Sequence, residues 1–222
     1  MVGPHWMLQE NLLKKQQHQL LKFTKFIIKK MSEIILASKS KVRKKILESN
    51  GIYCEVVPSN IDEDSVKASL LKESASPEMI SKNLAELKAN KVSAKFGSKL
   101  VIGADSVIDL EGKIISKPIN RVQAFDILEM LNGKKHELIS SVCISKGGNM
   151  IWNYTDKAQL FMKKFKSDEL KDYLSKISDE ALYAYNVYQI EGLGKTLFSN
   201  IQGDNDTIMG LPVKKIKGYL KI

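Results

Sequence analysis

The chain predicts an α/β protein built on a mixed β-sheet, and three observations carry that reading. Apolar runs of strand length alternate with amphipathic runs of helix length from Glu33 onward. Helix-capping residues and glycine stops punctuate these runs. Two long strand-like runs flank a Gly147-Gly148-Asn149 turn, which puts a hairpin inside the alternation.

Each element has a local cause. Glu33–Ser38 is a short apolar strand, and Ser40 caps a helix through Asn50 that Gly51 stops. Tyr53–Pro58 reads as a second strand. Ser76-Pro77 supplies a cap and a first-turn proline for a helix to about Phe96, closed by Gly97. Leu100–Ile108 is a nearly continuous apolar strand, turned by Leu110-Glu111-Gly112-Lys113 into Lys113–Ser116. A helix follows from about Asn120 to Leu131, with Val122, Phe125, Leu128 and Leu131 expected on its buried face. His136–Ser145 and Met150–Phe161 are the hairpin strands, and Ser167 is expected to cap a helix to about Ile177. The last stretch gives a strand near Thr196–Ile201, a loop at Gly203–Thr207 and a short helix after Pro212.

Residues 1–30 differ from the rest. They are rich in glutamine and lysine, with Leu8, Leu12, Leu20, Phe23, Phe26 and Ile27 at loosely helical spacing. They hold six lysines against one acid, Glu10, so half of the formal charge of +10 sits there. The stretch lacks the arginine and serine of a transit peptide and the apolar core of a secretory signal. It is expected to be an extension outside the fold, with the functional domain occupying 31–222. No apolar run approaches the roughly 20 residues that span a bilayer. Two isolated cysteines, Cys54 and Cys143, suit a reducing cytoplasmic compartment and no disulfide framework. For 31–222 the remaining basic balance fits a solvated lysine-rich surface, or affinity for small polyanions.

One motif is a decoy. Gly192-Leu193-Gly194-Lys195-Thr196 imitates a phosphate loop, yet Gln189 stands where that loop needs its first glycine, and a strand follows rather than a helix. Other segments carry more weight. Leu36-Ala37-Ser38-Lys39-Ser40-Lys41-Val42-Arg43 empties a strand into a helix N-terminus, where free N–H groups attract anions. Ser38 and Ser40 add hydroxyls and Arg43 a fork for phosphate, or the segment is a plain cap with a surface arginine. Gly103-Ala104-Asp105-Ser106 puts a carboxylate at the mouth of a buried strand. There Asp105 can hold a divalent cation, accept a proton, or simply cap a turn. Lys88 and Lys117 are candidate phosphate contacts, and Asp62-Glu63-Asp64 offers oxygen ligands or is a polar loop.

In order and spacing, these segments resemble the Maf family of nucleotide pyrophosphatases. The family pattern runs Leu-Ala-Ser-x-Ser-Pro-Arg-Arg, Asp-Glu, Leu-Ala-x-x-Lys-Ala, Gly-Ala-Asp-Thr, Lys-Pro, Gly-x-x-His, Ile-Gln-Gly and Gly-Leu-Pro. Here stand Leu36-Ala37-Ser38-Lys39-Ser40, Asp62-Glu63, Leu84-Ala85 with Lys88-Ala89, and Gly103-Ala104-Asp105. Lys117-Pro118, Gly133 with His136, Ile190-Glu191-Gly192 and Gly210-Leu211-Pro212 complete the set. The resemblance implies an elongated mixed β-sheet with flanking helices in two lobes around a nucleotide cleft, as in inosine triphosphatases. It implies hydrolysis of a nucleoside triphosphate to monophosphate and pyrophosphate with Mg2+ or Mn2+, in a house-cleaning or division-linked role. Asp105 falls on the proton acceptor, with Glu63 beside it as metal ligand. Ser38, Ser40, Arg43, Lys88 and Lys117 fall on positions that handle phosphate.

The departures concern the base. Pro-Arg-Arg has become Lys41-Val42-Arg43, threonine has become Ser106, and glutamine has become Glu191. Val42, Ser106 and Glu191 fall on positions linked to base choice. A branch acting on 7-methylguanosine triphosphate shares Glu191-Gly192 and Thr196-Leu197-Phe198 but has Gly-Ser-Asp-Gln where this chain has Gly103-Ala104-Asp105-Ser106. Tyr183-Ala184-Tyr185-Asn186-Val187-Tyr188 replaces the expected Lys-Ala-Gly-Ala-Tyr approach. The alternative function is a non-catalytic nucleotide or nucleic-acid binder that regulates septum formation. A pure binder needs no acid facing the phosphates, and no basic stripe interleaved with aromatics is visible. The expected partners are the nucleotide and, in a homodimer, a second copy of the chain. Neither membrane nor nucleic acid is expected.

Overall fold

The computed structural model describes residues 12–22 and 33–222. The first of these stretches is helical (α1, 12–22), with Leu12, Leu13, Leu20 and Leu21 exposed. Leu8, Phe23, Phe26, Ile27 and the proposed start at Met31 lie outside the described residues. The domain then runs β1 (Ile34–Leu36), α2 (Lys41–Ser49), β2 (Glu55–Val56), α3 (Glu63–Lys72), α4 (Pro77–Ser93), β3 (Leu100–Leu110) and β4 (Lys113–Ile115). It continues with α5 (Arg121–Leu131), β5 (Lys135–Lys146), β6 (Asn149–Met162), α6 (Ser167–Ser175) and α7 (Asp179–Tyr185). A 3₁₀ turn (Leu193–Leu197), β7 (Phe198–Gln202), α8 (Asn205–Ile208) and α9 (Val213–Leu220) complete it.

Among the described residues the strands form one mixed sheet in the order β2-β1-β3-β5-β6-β7, with β4 added beside β3. β1 runs parallel to both β2 and β3, and the remaining pairs are antiparallel. Two main apolar clusters hold helices to the sheet. One gathers α5, α6, α7 and β7 side chains, among them Leu128, Leu131, Leu160, Leu170, Leu182 and Phe198. The other joins α2 and α9 to β1, β3 and β5 through Leu36, Leu47, Ile102, Ile144, Leu211 and Ile216. Helix α4 lies across β3, and Gly103 makes that possible. A Cβ there would stand 2.2 Å from the Ala85 carbonyl oxygen and 2.6 Å from the Ala89 nitrogen.

Several expectations need correction. On α5 the buried residues are Ala124, Leu128 and Leu131, one stripe at helical spacing. Val122 is two positions, about 200°, from Ala124 and is 71% exposed. The cap of α6 is Lys166, whose N–H donates to the Glu169 carboxylate, so Ser167 is the first helical residue. Strand β2 is only Glu55–Val56, both exposed, because it pairs with β1 alone at the sheet edge. The strand expected at Thr196 starts at Phe198, after the 3₁₀ turn. That turn occupies the phosphate-loop decoy, and Gly194 packs against the Gln189 backbone rather than a ligand. Helices α3, α7 and α8 are additions to the sequence reading.

Candidate active site

The site grows from a gap in the sheet. β1 pairs with β3 as far as Leu36 opposite Ile102, and β4 joins β3 only from Ile108 opposite Ile115. Between them β3 presents Asp105, Ser106 and Val107 to a cleft of about 1330 Å³. Its walls come from the β1–α2 junction, α3, α4, the β4–α5 loop and the segments 186–191 and 208–210. Strand alternation then sorts the side chains. Gly103 and Asp105 share the face toward α4, whereas Ala104 and Ser106 face the opposite way.

On the α4 side, Asp105 is 5% exposed, and its Oδ1 accepts a hydrogen bond from Lys88 Nζ at 2.8 Å. The same buried ammonium reaches Glu63 Oε2 at 2.9 Å, so Lys88 joins two carboxylates brought from β3 and α3. Asp105 Oδ2 is buried and has no hydrogen-bond partner among the described residues. Burial pushes the Glu63 carboxyl upward, but attraction and hydrogen bonding from Lys88 outweigh it and hold it below its ordinary range. Glu63 occupies the first position of α3 because Asp62 caps that helix, accepting from the Ser65 N–H at 3.0 Å. The acidic run is therefore a helix start, and only its middle member meets Lys88.

On the other side, Ser40 caps α2 by accepting from the Arg43 N–H. This turns the Arg43 side chain back toward β3. Its Nε donates to the Gly210 carbonyl at 2.9 Å and Nη1 to the Ala104 carbonyl at 2.9 Å. Nη1 also reaches Ser38 Oγ at 3.4 Å, and Nη2 donates to Ser106 Oγ at 3.1 Å. Of five guanidinium donors, one remains for a ligand, so Arg43 is first a clamp across the sheet gap. Burial lowers its pKa, against the pull of Asp105 and Glu63. Ser106 also contacts Ser140 Oγ at 2.8 Å, and Ser140 in turn donates to the Thr207 carbonyl. Ser106 is thus committed to a hydroxyl chain that ties β3 to β5 and α8.

Every residue singled out in the sequence lines this cleft: Ser38, Ser40, Val42, Arg43, Glu63, Lys88, Asp105, Ser106, Lys117 and Glu191. Lys117 keeps a flank open to solvent, yet desolvation within the cleft and then Arg43 lower its pKa, with Glu63 and Asp105 opposing. Sequence reasoning passed over Lys67, a half-buried cleft residue one turn after Glu63 on α3. Recognising α3 from its Asp62 cap would have placed it. It also passed over Tyr188, which lines the cleft and meets His136 Nε2 at 2.8 Å. His136 is buried against Tyr188 and Phe198, and burial lowers its pKa to about 4.

Fold and site together define an α/β protein whose cleft, with clustered cations around a buried carboxylate, is made for a polyanion. The chain belongs to the Maf family: the Maf-like protein model matches residues 33–222. It is 71% identical over 192 residues to a nucleoside triphosphate pyrophosphatase of Pelagibacter ubique, covering 86% of this chain and 98% of that one. It is 36% identical over 189 residues to a 7-methyl-GTP pyrophosphatase of Rhizobium etli, covering 85% and 95%. Among solved structures, the Staphylococcus aureus Ham1 protein overlaps 85% of this chain and 97% of its own at 12% identity, with a TM-score of 0.44. At that overlap the fold assignment rests on the sheet topology itself.

Proposed function

We infer that this chain is a nucleoside triphosphate pyrophosphatase, a hydrolase that cleaves the anhydride between the α- and β-phosphates. Family membership supports the reading, as do the activities for which the Pelagibacter and Rhizobium relatives are named. The same names count against a purely regulatory binder. The single observation that carries the chemistry is the buried Asp105–Lys88–Glu63 group at the floor of the cleft.

Asp105 has one oxygen fixed by Lys88 and the other, Oδ2, without a partner among the described residues. A carboxylate held this way can take the proton of an attacking water as its oxygen bonds to the α-phosphorus. The anhydride bond then breaks, and pyrophosphate leaves with the bridging oxygen. Lys88 and Lys117 offset the charge that gathers on it. Ser38 and Ser40 contribute hydroxyls at the start of α2, where the helix N-terminus attracts phosphate. Arg43 ties Ser38 and the Gly210 loop to β3 beside the gap, with one N–H left for a phosphate oxygen.

The donor set suits a divalent cation. Among the described residues no three His, Cys, Asp or Glu side chains gather into a protein-only cage. The two carboxylates Asp105 and Glu63 would hold Mg2+ or Mn2+ together with phosphate oxygens and water, as Mg2+ prefers. Such an ion would neutralise phosphate charge and acidify water. Glu191 and Val42, both lining the cleft, are the candidates for base choice. An ionised carboxylate accepts both N–H donors of a guanine edge, so Glu191 favours guanine-type bases over pyrimidines. Two buried, free cysteines, with thiols pushed up to about 11, support action in the reducing cytoplasm.

The test is a panel of GTP, 7-methyl-GTP, UTP, dTTP and ATP, each with Mg2+, with Mn2+ and with chelator, read as pyrophosphate release. Turnover of guanine nucleotides that chelation abolishes is expected. No turnover on any nucleotide would refute the enzyme reading, and full turnover in chelator would refute the cation.

A further inference from the structure

Four cations face one another in the inner cleft, Arg43, Lys67, Lys88 and Lys117, against two carboxylates, Glu63 and Asp105. Arg43 and Lys88 are held by direct bonds to the protein. Arg43 is clamped to Gly210, Ala104, Ser106 and Ser38, and Lys88 joins both carboxylates. Lys67 differs. It stands four residues after Glu63 on α3, the spacing at which a glutamate and a lysine ordinarily pair. Yet Glu63 turns to Lys88, and Lys67 makes no hydrogen bond or ion pair among the described residues.

The outer face of α3 is not where Lys67 lies. It is half-buried and lines the cleft. Its charge reaches both Glu63 and Lys117, which line the same cleft. A half-buried ammonium whose nearby carboxylate is already engaged by Lys88 keeps its hydrogen-bond donors for a ligand, and a polyanion is the ligand that uses them. A lysine serves this task as a mobile point charge that follows a phosphate group without a fixed geometry.

We propose that Lys67 binds phosphate: with Lys117 it forms a subsite for the β- and γ-phosphates and holds the pyrophosphate that leaves. The inference rests on the pyrophosphatase reading for its substrate, and it adds a residue outside the motifs that identify the family. It separates two regions of one cleft. Asp105 and Glu63 act at the bond that breaks, Lys88 stands between them and the departing phosphates, and Lys67 acts on the leaving group alone. The monophosphate product should therefore be nearly indifferent to Lys67.

Lys67→Met and Lys67→Arg in the full chain test this, with thermal unfolding as the control for folding. We measure KM and kcat for GTP and the inhibition constants of pyrophosphate and of GMP. For Lys67→Met, KM and the pyrophosphate inhibition constant should each rise about tenfold, with GMP inhibition within about twofold, the scale of one charged hydrogen bond. Lys67→Arg should recover most of the loss. Unchanged pyrophosphate inhibition in folded Lys67→Met would overturn the proposal, as would equal weakening of pyrophosphate and GMP. Calorimetric titration of pyrophosphate into both proteins judges Lys67 separately, because it needs no turnover. Equal affinity there sinks the subsite even where GTP is cleaved, and unequal affinity supports it even where GTP is not.

Discussion

Replacing Asp105 by asparagine separates the chemical from the structural share of the central carboxylate. The variant keeps shape and an oxygen that can accept from Lys88, but removes the charge. Lys88, 5% exposed, is then left with Glu63 at 2.9 Å as its one ionic partner. A charge-assisted hydrogen bond becomes one to a neutral acceptor, a loss of about 1–2 kcal/mol. In a domain of this size that lowers Tm by roughly 2–8 °C. Turnover should fall much further, about 10²-fold or more, because neither proton transfer nor cation binding survives. Such a fall corresponds to about 2.7 kcal/mol of lost transition-state stabilisation. Pyrophosphate release at saturating GTP gives the rate, and circular dichroism melting gives the stability. A folded Asp105→Asn protein with near-normal kcat would refute the assignment of Asp105 to the reaction.

Three further outcomes are expected. Glu191→Gln should shift relative kcat/KM toward UTP and dTTP by roughly one to a few kcal/mol, measured against GTP and 7-methyl-GTP. An equal drop for all four would make Glu191 a brace for Gly192. Removing residues 1–30 should leave Tm and kcat within error, because the family match begins at residue 33. Loss of folded protein would show that the stretch packs on the domain. His136 should make stability fall with acid. Its pKa is about 4 in the fold against 6.5 unfolded, so the unfolded chain binds the extra proton between those values. The contribution, about 3 kcal/mol, is complete above pH 6.5 and lost as pH falls toward 4. Urea midpoints at pH 7 and pH 4.5 should therefore differ less in His136→Gln than in the parent chain, and an equal difference would exclude the linkage.

The sheet was legible because its strands carry their own signals. β3 and β5 are long strand-like runs bounded by turn glycines, the Gly147-Gly148 turn starts β6, and Ser40, Ser76 and Asn120 each cap a helix through a side-chain oxygen. Helix α3 was not legible because its residues include no buried position, so no apolar stripe marks it. That omission hid Lys67. Ser38, Ser40, Arg43 and Glu63 were legible because they lie at a strand end or helix start, whereas Asp105 stands in the middle of β3 and Lys88 inside α4, so only the ordered motifs pointed to them. The division of labour among the cleft residues was not legible. Arg43 reads as a phosphate fork from sequence, and only the long-range bonds to Ala104 and Gly210 reveal a clamp. Val122 misled because helical spacing alone does not say which stripe meets the sheet, and Ala124 was too small to weigh against it.

The central claim is that the cleft splits a nucleoside triphosphate between its α- and β-phosphates. Phosphorus-31 NMR of GTP turned over in 18O-labelled water tests it most directly. The account predicts GMP and pyrophosphate in equal amounts, no orthophosphate, and the label in GMP alone. GDP with orthophosphate as the first products would contradict the reaction, and label in pyrophosphate would contradict attack at the α-phosphorus.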